Sequence, residues 1–231
     1  MWRFGTREEK FMLLRLIVCF GVVLFGAGCG ERHPKGARVQ ENGQVNSKVA
    51  IMAATNSSSF ECPWGIGKEL TAGVKQRLIQ DGKIYIAASS DNESATKLEA
   101  AAPKNESDAI AKAGDSKFVV LMEILDHKEV PYQWQKLKPL YTTAGTPKSV
   151  LMITMRLKVL DLRQSTPRVV LQEIVHSNHL ISKNARSVDY TEISWGSPGY
   201  LSTPIGVAHA RLAKDVAARV EHYVAMASTY Q

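Results

Sequence analysis

The chain lacks the cysteines from which a disulfide framework could be built. Of its three, Cys19 and Cys29 fall near the start and Cys62 stands alone in the rest, so no pair exists to staple the body together. It also lacks an apolar run of about 20 residues, the length that a membrane-spanning helix needs. The longest, Leu16 to Phe25, is closed by Arg15 on one side and by Glu31 and Arg32 shortly after. Arginine-rich runs and blocks of like charge are missing too, which removes the strongest electrostatic signature of nucleic-acid binding. Aromatic residues make up only 7% of the chain, so where they gather becomes informative.

What is present is enough apolar material for a core. Across 231 residues the hydrophobic content is 45%, which suits one medium domain, or a domain and a tether, and argues against disorder throughout. The formal charge is +7, from 29 basic and 22 acidic residues. The first 28 residues hold Arg3, Arg7, Lys10 and Arg15 against Glu8 and Glu9, which leaves 25 against 20 in the remainder. A mildly basic, mixed-charge surface selects no partner by itself.

The opening segment has a definite pattern. Arg7, Lys10 and Arg15 form a charged n-region, and Leu16 to Phe25 has the length and placement of a signal-peptide h-region. An uncleaved anchor is the competing reading of the same run. Then come Gly26, Ala27, Gly28 and Cys29, and this stretch resembles the lipobox of bacterial lipoproteins. Gly26 stands where that pattern usually has leucine, which occurs two places earlier as Leu24. The resemblance implies removal of residues 1–28, a diacylglyceryl thioether on the Cys29 thiol, and a further acyl chain on its new amine. Two or more chains anchor a protein stably where one is marginal. In that family an aspartate after the cysteine favours inner-membrane retention. Gly30 stands there instead, which implies the outer membrane with the domain facing the periplasm, surface exposure remaining open.

Residues 29–47 read as a lipidated flexible tether, polar and rich in turn formers such as Gly36, Asn42 and Gly43. Random-coil scaling gives such a segment a reach of roughly 20 to 25 Å. One α/β domain is expected over 48–231. Val49 to Ala54 reads as a buried strand, Ile66, Leu70, Val74 and Leu78 recur at helical spacing before Gly82, and Ile84 to Ala88 reads as a second strand. A loop at 91–104 and a short helix from Ser107 to Ala113 lead to the apolar strand Phe118 to Leu125. An irregular stretch is expected at 126–148. Leu151, Ile153, Met155, Leu157 and Val159 then alternate with polar neighbours, and Val169 to Val175 reads as a hairpin partner across a polar turn. After an aromatic loop at 183–202, Thr203-Pro204 caps a last helix with Ile205, Leu212, Val216, Val220 and Tyr223 on one face. The order β-α-β-α-β-β-β-α predicts an α/β fold: a mixed sheet flanked by helices, in two or three layers.

That order, from the strand before Leu70 and Leu78 to the long strand ending Asp161-Leu162-Arg163 and its hairpin mate, resembles the periplasmic domain shared by three envelope proteins. These are the lipoprotein LpoB, the curli secretion lipoprotein CsgG and the N-terminal part of TolB, an anticodon-binding-like sandwich. The stretch Thr203 to Leu212 and the loop Trp195-Gly196-Ser197-Pro198-Gly199-Tyr200 resemble a family of uncharacterised chlamydial lipoproteins. What this implies is an envelope lipoprotein with no assigned activity, since a fold does not carry function with it.

Candidate chemistry is sparse. His176 and His179 form H-x-x-H, but an odd separation on a strand sends the rings to opposite faces, away from a shared ion. Gly65-Ile66-Gly67-Lys68 lacks the earlier glycine of a phosphate loop, with Cys62 in its place, and Glu69 replaces the hydroxyl that would meet magnesium. Cys62 stands at a helix start, where the dipole would lower a thiol pKa. Catalysis there would need a base, and the sequence does not bring His127 or His209 beside it. An intermolecular disulfide and a partly buried free cysteine are the other readings of Cys62.

The aromatic loops remain. Tyr132, Trp134, Tyr141, Tyr190, Trp195 and Tyr200 occur in turn-rich segments, where large rings serve either binding or satellite packing over the sheet ends. The expected function is a non-enzymatic, lipid-anchored envelope protein that binds a protein partner or self-associates through one loop end. No metal, cofactor or nucleic-acid partner is read. The alternatives are a structural or surface-exposed lipoprotein without a dedicated ligand, and a hydrolase acting on cell-wall material, for which no catalytic pair can be assembled.

Overall fold

The computed structural model describes residues 47–86, 102–132, 147–182 and 188–229. The expected signal peptide (1–28), Cys29, residues 30–46 of the expected tether, Trp134 and Tyr141 lie outside these residues. In chain order the elements are β1 (Lys48–Ile51), β2 (Thr55–Asn56), α1 (Ile66–Asp81), β3 (Tyr85–Ile86), α2 (Glu106–Lys112), β4 (Phe118–Pro131), β5 (Pro147–Asp161), β6 (Arg168–Ser182), α3 (Pro198–Leu201) and α4 (Pro204–Thr229). This is the expected order, with a broken first strand and a short extra helix before the last one.

The six strands form one mixed sheet in the order β3-β1-β4-β5-β6, with β2 also paired to β4. Both β1 and β3 run parallel to each other, and β1 and β2 run parallel to β4. From β4 onward the sheet is an antiparallel meander. The crossover through α1 moves the chain outward to β3, and the one through α2 brings it back past β1 to β4. Two crossovers of one hand in opposite directions put their helices on opposite faces of a sheet. The packing agrees. Leu70, Val74 and Leu78 of α1 join Leu212, Val216 and Val220 of α4 in the main core, whereas Ala109 and Ala113 join Ala50, Val119 and Leu160 on the other side. The result is three layers with unequal cover.

Local chemistry explains the element ends. Gly82 adopts a left-handed φ of 67° and its N–H caps the Leu78 carbonyl, closing α1. Asn105 caps α2 by accepting from the Asp108 N–H at 2.8 Å. Thr203 caps α4 by accepting from the Gly206 N–H at 3.0 Å, with Pro204 at the first helical position.

The expectation of irregular chain after Leu125 is corrected, because β4 continues to Pro131. The reason lies across the strand, in the first half of β5, which pairs Ser149 with Pro131 and Ile153 with His127. Long-range pairing overrides the charged, proline-containing local sequence. The second hairpin strand likewise extends from Arg168 to Ser182.

Candidate functional site

Three perturbations of regular structure meet at one place, where α1, β4 and α4 approach each other. The first is the break between β1 and β2. There the Ala54 N–H donates to Thr71 Oγ1 at 2.8 Å, and the Thr71 hydroxyl donates to the Gly67 carbonyl at 2.6 Å. The Ala54 carbonyl comes so close to α1 that a Cβ on Gly67 would lie 2.2 Å from its oxygen. Gly67 therefore serves the close packing of helix on strand.

The second is a β-bulge in β4. Ile124 pairs with Met155 and Asp126 with Thr154, leaving Leu125 as the extra residue. Without it, the alternation Phe118, Val120, Met122, Ile124 would carry Asp126 to the helical face. The bulge shifts the phase by one, so His127 points inward instead. The third is α3 and the turn before it, where Gly196 takes a φ of 78° and Tyr200 is carried into the interior at 1% exposure.

Glu69 is the hub. It lies in the first turn of α1, 5% exposed. Its Oε1 accepts from the Tyr200 hydroxyl at 2.5 Å and stands 2.9 Å from His209 Nδ1. Its Oε2 accepts from Trp64 Nε1 at 2.8 Å. Tyr200 Oη is also 3.1 Å from His209 Nδ1. Since the tyrosine proton goes to Glu69, the Nδ1–H of His209 is the donor on this side. Its other nitrogen, Nε2, faces His127 Nε2 at 2.9 Å. The His127 ring stacks on Phe60 with centroids 3.7 Å apart, and Trp64 meets Tyr200 edge to face at 5.2 Å. The array thus pins α1, β4, α3, α4 and the segment before α1 to one another.

The electrostatics follow from burial and donors. Burial works to raise the Glu69 carboxyl, but the hydrogen bonds and charge of His209, with those from Tyr200 and Trp64, outweigh it and hold the group below the ordinary carboxylate range. Glu69 is therefore ionised at neutral pH. Tyr200 is pushed far above a normal phenol, first by burial and then by its bond to the ionised Glu69. Loss of water lowers His127 to about 4, helped by its proximity to His209. His127 Nδ1 has no hydrogen-bond partner among the described residues.

Beside this array runs a groove of about 330 Å³ between α1 and α4. Glu69, Tyr200 and His209 form its inner end, Gln76, Arg77 and Gln80 one wall, and Trp195 and Leu201 its mouth. The close approach of α1 and α4 rests on small residues, since a Cβ on Gly73 would lie 3.2 Å from that of Ala213; Gly206 likewise lets α3 approach α4, where a Cβ would lie 2.2 Å from the Tyr200 carbonyl oxygen.

Of the aromatic candidates, Trp195 is 38% exposed at the groove mouth, whereas Tyr200 is buried in the array. Tyr190 is half-buried and bonds to Thr203. Tyr132 follows the end of β4, where its N–H donates to the Lys148 carbonyl at 3.1 Å. The H-x-x-H pair divides as expected. His176 lies beside Thr154 on one face, and His179 meets Arg211 of α4 on the other. Cys62 is a half-buried free cysteine, and the lowering that a helix start can bring to a thiol is not realised: burial raises it, Glu69 adds to this, and the N–H groups of Gly65 and Trp64 do not compensate. Among the described residues, no three of the metal-ligating side chains converge, and no helix is long and apolar enough to cross a membrane.

The array itself escaped sequence reading. A signal existed for two members: Glu69 interrupts the apolar stripe of α1 between Ile66 and Leu70, and His209 lies on the buried stripe between Ile205 and Leu212.

The model of a family of unknown function, DUF7499, matches residues 35–228. No curated protein sequence matches the chain. The hypothetical protein CT253 of Chlamydia trachomatis is similar in structure, with a TM-score of 0.56 and 24% identity over 78% of this chain and 98% of that one. This likeness is one of fold. More distant are XCC0632 of Xanthomonas campestris, of the DUF330 family (TM-score 0.45, 9% identity, 80% of this chain and 90% of that one), and the lipoprotein GNA1162 of Neisseria meningitidis (TM-score 0.36, 11% identity, 72% and 98%).

Proposed function

The chain belongs to the DUF7499 family, whose function is unknown, and from that premise we propose that it is a non-enzymatic bacterial envelope lipoprotein, lipid-anchored at Cys29, whose domain docks a protein partner. The observation that carries this reading is the Leu16 to Phe25 run ending in Gly26-Ala27-Gly28-Cys29. A short h-region, small residues and a cysteine are what lipid transfer and cleavage require. After Cys29 the polar stretch to residue 47 supplies reach, so a tethered domain can meet partners a short distance from the membrane. Gly30 after the cysteine favours the outer membrane, with the domain in the periplasm.

The groove mouth is the docking face in this proposal. Trp195 offers a large amphipathic ring on a turn held by a buried array, and Leu201, 51% exposed, lies beside it. The ionised Glu69 accepts its hydrogen bonds from Tyr200, His209 and Trp64 of the same domain, which supports a positioning role for it. The resemblance of the element order to LpoB, CsgG and TolB belongs to the same reading and assigns no partner.

Metabolic labelling with a fatty-acid analogue tests the anchor. Wild type takes up label and fractionates with the outer membrane, and Cys29→Ala does neither; equal labelling of both overturns the lipid assignment. A photo-crosslinking residue at position 195 tests the docking face. It is expected to give one discrete envelope adduct, or a homodimer if the partner is a second copy, and absence of any adduct removes the binding reading.

A further inference from the structure

A buried pair of imidazoles joined nitrogen to nitrogen holds one proton between them and has no place for a second. We propose that His127 and His209 form a proton-operated latch: with one shared proton they tie the β4 bulge to α4, and a second proton separates the rings and loosens the inner end of the groove.

The geometry sets this out atom by atom. The two Nε2 atoms are 2.9 Å apart, so one donates and the other accepts. If both Nε2 atoms carried a proton, two N–H groups would point at each other across that distance, and a second proton placed on His127 Nδ1 instead would be a buried N–H without a hydrogen-bond partner among the described residues. On its far side His209 is held through Nδ1 by Glu69 and Tyr200. His127 has no such support, since its Nδ1 is without a partner among the described residues and its ring lies against Phe60. Both rings are nearly sealed from water, at 4% and 2% exposure.

Charge balance points the same way. The groups facing the pair are Glu69 and Cys62 from α1 and the chain before it, Tyr200 from α3, and Asp126 from β4 itself. Tyr200 and Cys62 are both held neutral by burial. Asp126 neighbours His127 in sequence, but the bulge turns it to the other face, where Lys128 pairs with it at 2.5 Å. Glu69 is thus the single carboxylate committed to the interior here, and it bonds His209, not His127. A positive charge on His127 has neither a carboxylate in contact nor a hydrogen-bond partner at Nδ1 among the described residues, in a place with little water, so the cheapest response is for the rings to part.

Separation reaches the groove because the same atoms build its inner end. Glu69, Tyr200 and His209 line it, and Tyr200 carries Trp64 on its ring and leads back to Trp195 at the mouth. Acidification therefore alters the face assigned to partner docking. That consequence rests on the proposed function, whereas the latch does not.

The test uses the mature chain without any partner. Hydrogen exchange is followed at about pH 7 and at about pH 5, corrected for intrinsic rates, a window that spans the usual titration of histidine. Protection is expected to fall by about tenfold in the segments 57–65 and 196–209 while β5 and α2 stay protected. His127→Gln keeps a donor and an acceptor but cannot be charged, and is expected to abolish the local change. No change in wild type, a change spread over the whole domain, or the same local change in His127→Gln each overturns the latch. Should His127→Gln fail to fold, imidazole ¹⁵N shifts of the wild type decide: one proton shared between the Nε2 atoms at neutral pH supports the latch, and two independent, fully exposed titrations overturn it. Loss of the residue-195 adduct with an intact exchange change would remove the docking reading alone.

Discussion

His127 Nε2 and His209 Nε2 meet at 2.9 Å although 82 residues separate them in the chain. One ring comes from a strand whose phase is set by a bulge, the other from the buried stripe of the last helix. Their contact joins the sheet to the helical layer through polar atoms, beside an apolar core made mostly of Val, Ile, Leu, Met and Ala. Such a contact is sensitive to pH in a way that apolar packing is not.

The sign of that sensitivity is fixed. His127 sits at about 4 in the folded protein against 6.5 when unperturbed, so the unfolded chain takes up this proton first. Its contribution is intact above about pH 6.5 and is lost as pH falls toward 4, at about 1.4 kcal/mol per unit and roughly 3 kcal/mol in all. Glu69, held below its ordinary value, extends the loss in the same direction at lower pH. Urea unfolding at stepped pH should show stability falling through this window, and His127→Gln should flatten the slope; an unchanged slope in the variant would refute the assignment.

Glu69 gives a second expectation. Its carboxylate accepts from Tyr200, His209 and Trp64, so Glu69→Leu leaves the buried donors of Tyr200 and His209 and the half-buried one of Trp64 without this acceptor. A loss of about 3 to 5 kcal/mol is expected, as for breaking a buried charge pair from one side. Glu69→Gln keeps the shape and one acceptor, and should cost less, about 1 to 3 kcal/mol. Equilibrium denaturation orders the two; equal costs would mean that shape, not hydrogen bonding, is what the site needs.

Arg163 ties the β5–β6 turn to the end of α4. Its guanidinium donates to both oxygens of Asp161, at 2.9 and 2.7 Å, and to the Ala227 carbonyl at 2.6 Å, while lying over the Phe118 ring. A lysine cannot reproduce this fork. Arg163→Ala and Arg163→Lys should both lower stability, by about 1 to 3 kcal/mol, and should increase proteolytic cleavage near residue 227. A lysine variant indistinguishable from wild type would show the bidentate geometry to be dispensable.

The periodic parts of the fold were legible. Ile66, Leu70, Val74 and Leu78 mark α1, the alternation from Leu151 to Val159 marks β5, and Thr203-Pro204 marks the start of α4, because each pattern is a local consequence of burial on one face. The site was legible only as Glu69 and His209 on the buried stripes of their helices, since what they meet there depends on non-local events. No feature of Leu125 in the sequence announces a bulge, and the bulge alone turns His127 inward. Tyr200 reads as a loop aromatic until α3 folds it inside. The strand beyond Leu125 is formed by its partner, whose pairing is invisible in the chain taken alone.

Gly67 supplies a prediction of the opposite kind, in which an addition does the damage. It lies within α1, where alanine is ordinarily the better helix former by about 1 kcal/mol. Here the Ala54 carbonyl oxygen occupies the place of the missing methyl, 2.2 Å from where a Cβ would be. That oxygen belongs to the backbone of the β1–β2 break, whose N–H is already committed to Thr71, so neither partner can move aside alone. Gly67→Ala should therefore destabilise by about 1 to 3 kcal/mol or more, the overpacking penalty exceeding the gain in helix propensity. Because the helix start carries Glu69 two residues on, the shift also pulls the hub from His209 and Tyr200. Thermal unfolding of Gly67→Ala beside Gly73→Ala, which meets only a side-chain Cβ at 3.2 Å, separates the effects. The first should lower the midpoint well beyond the second, and a stabilised Gly67→Ala would mean that the helix does not approach the strand as described.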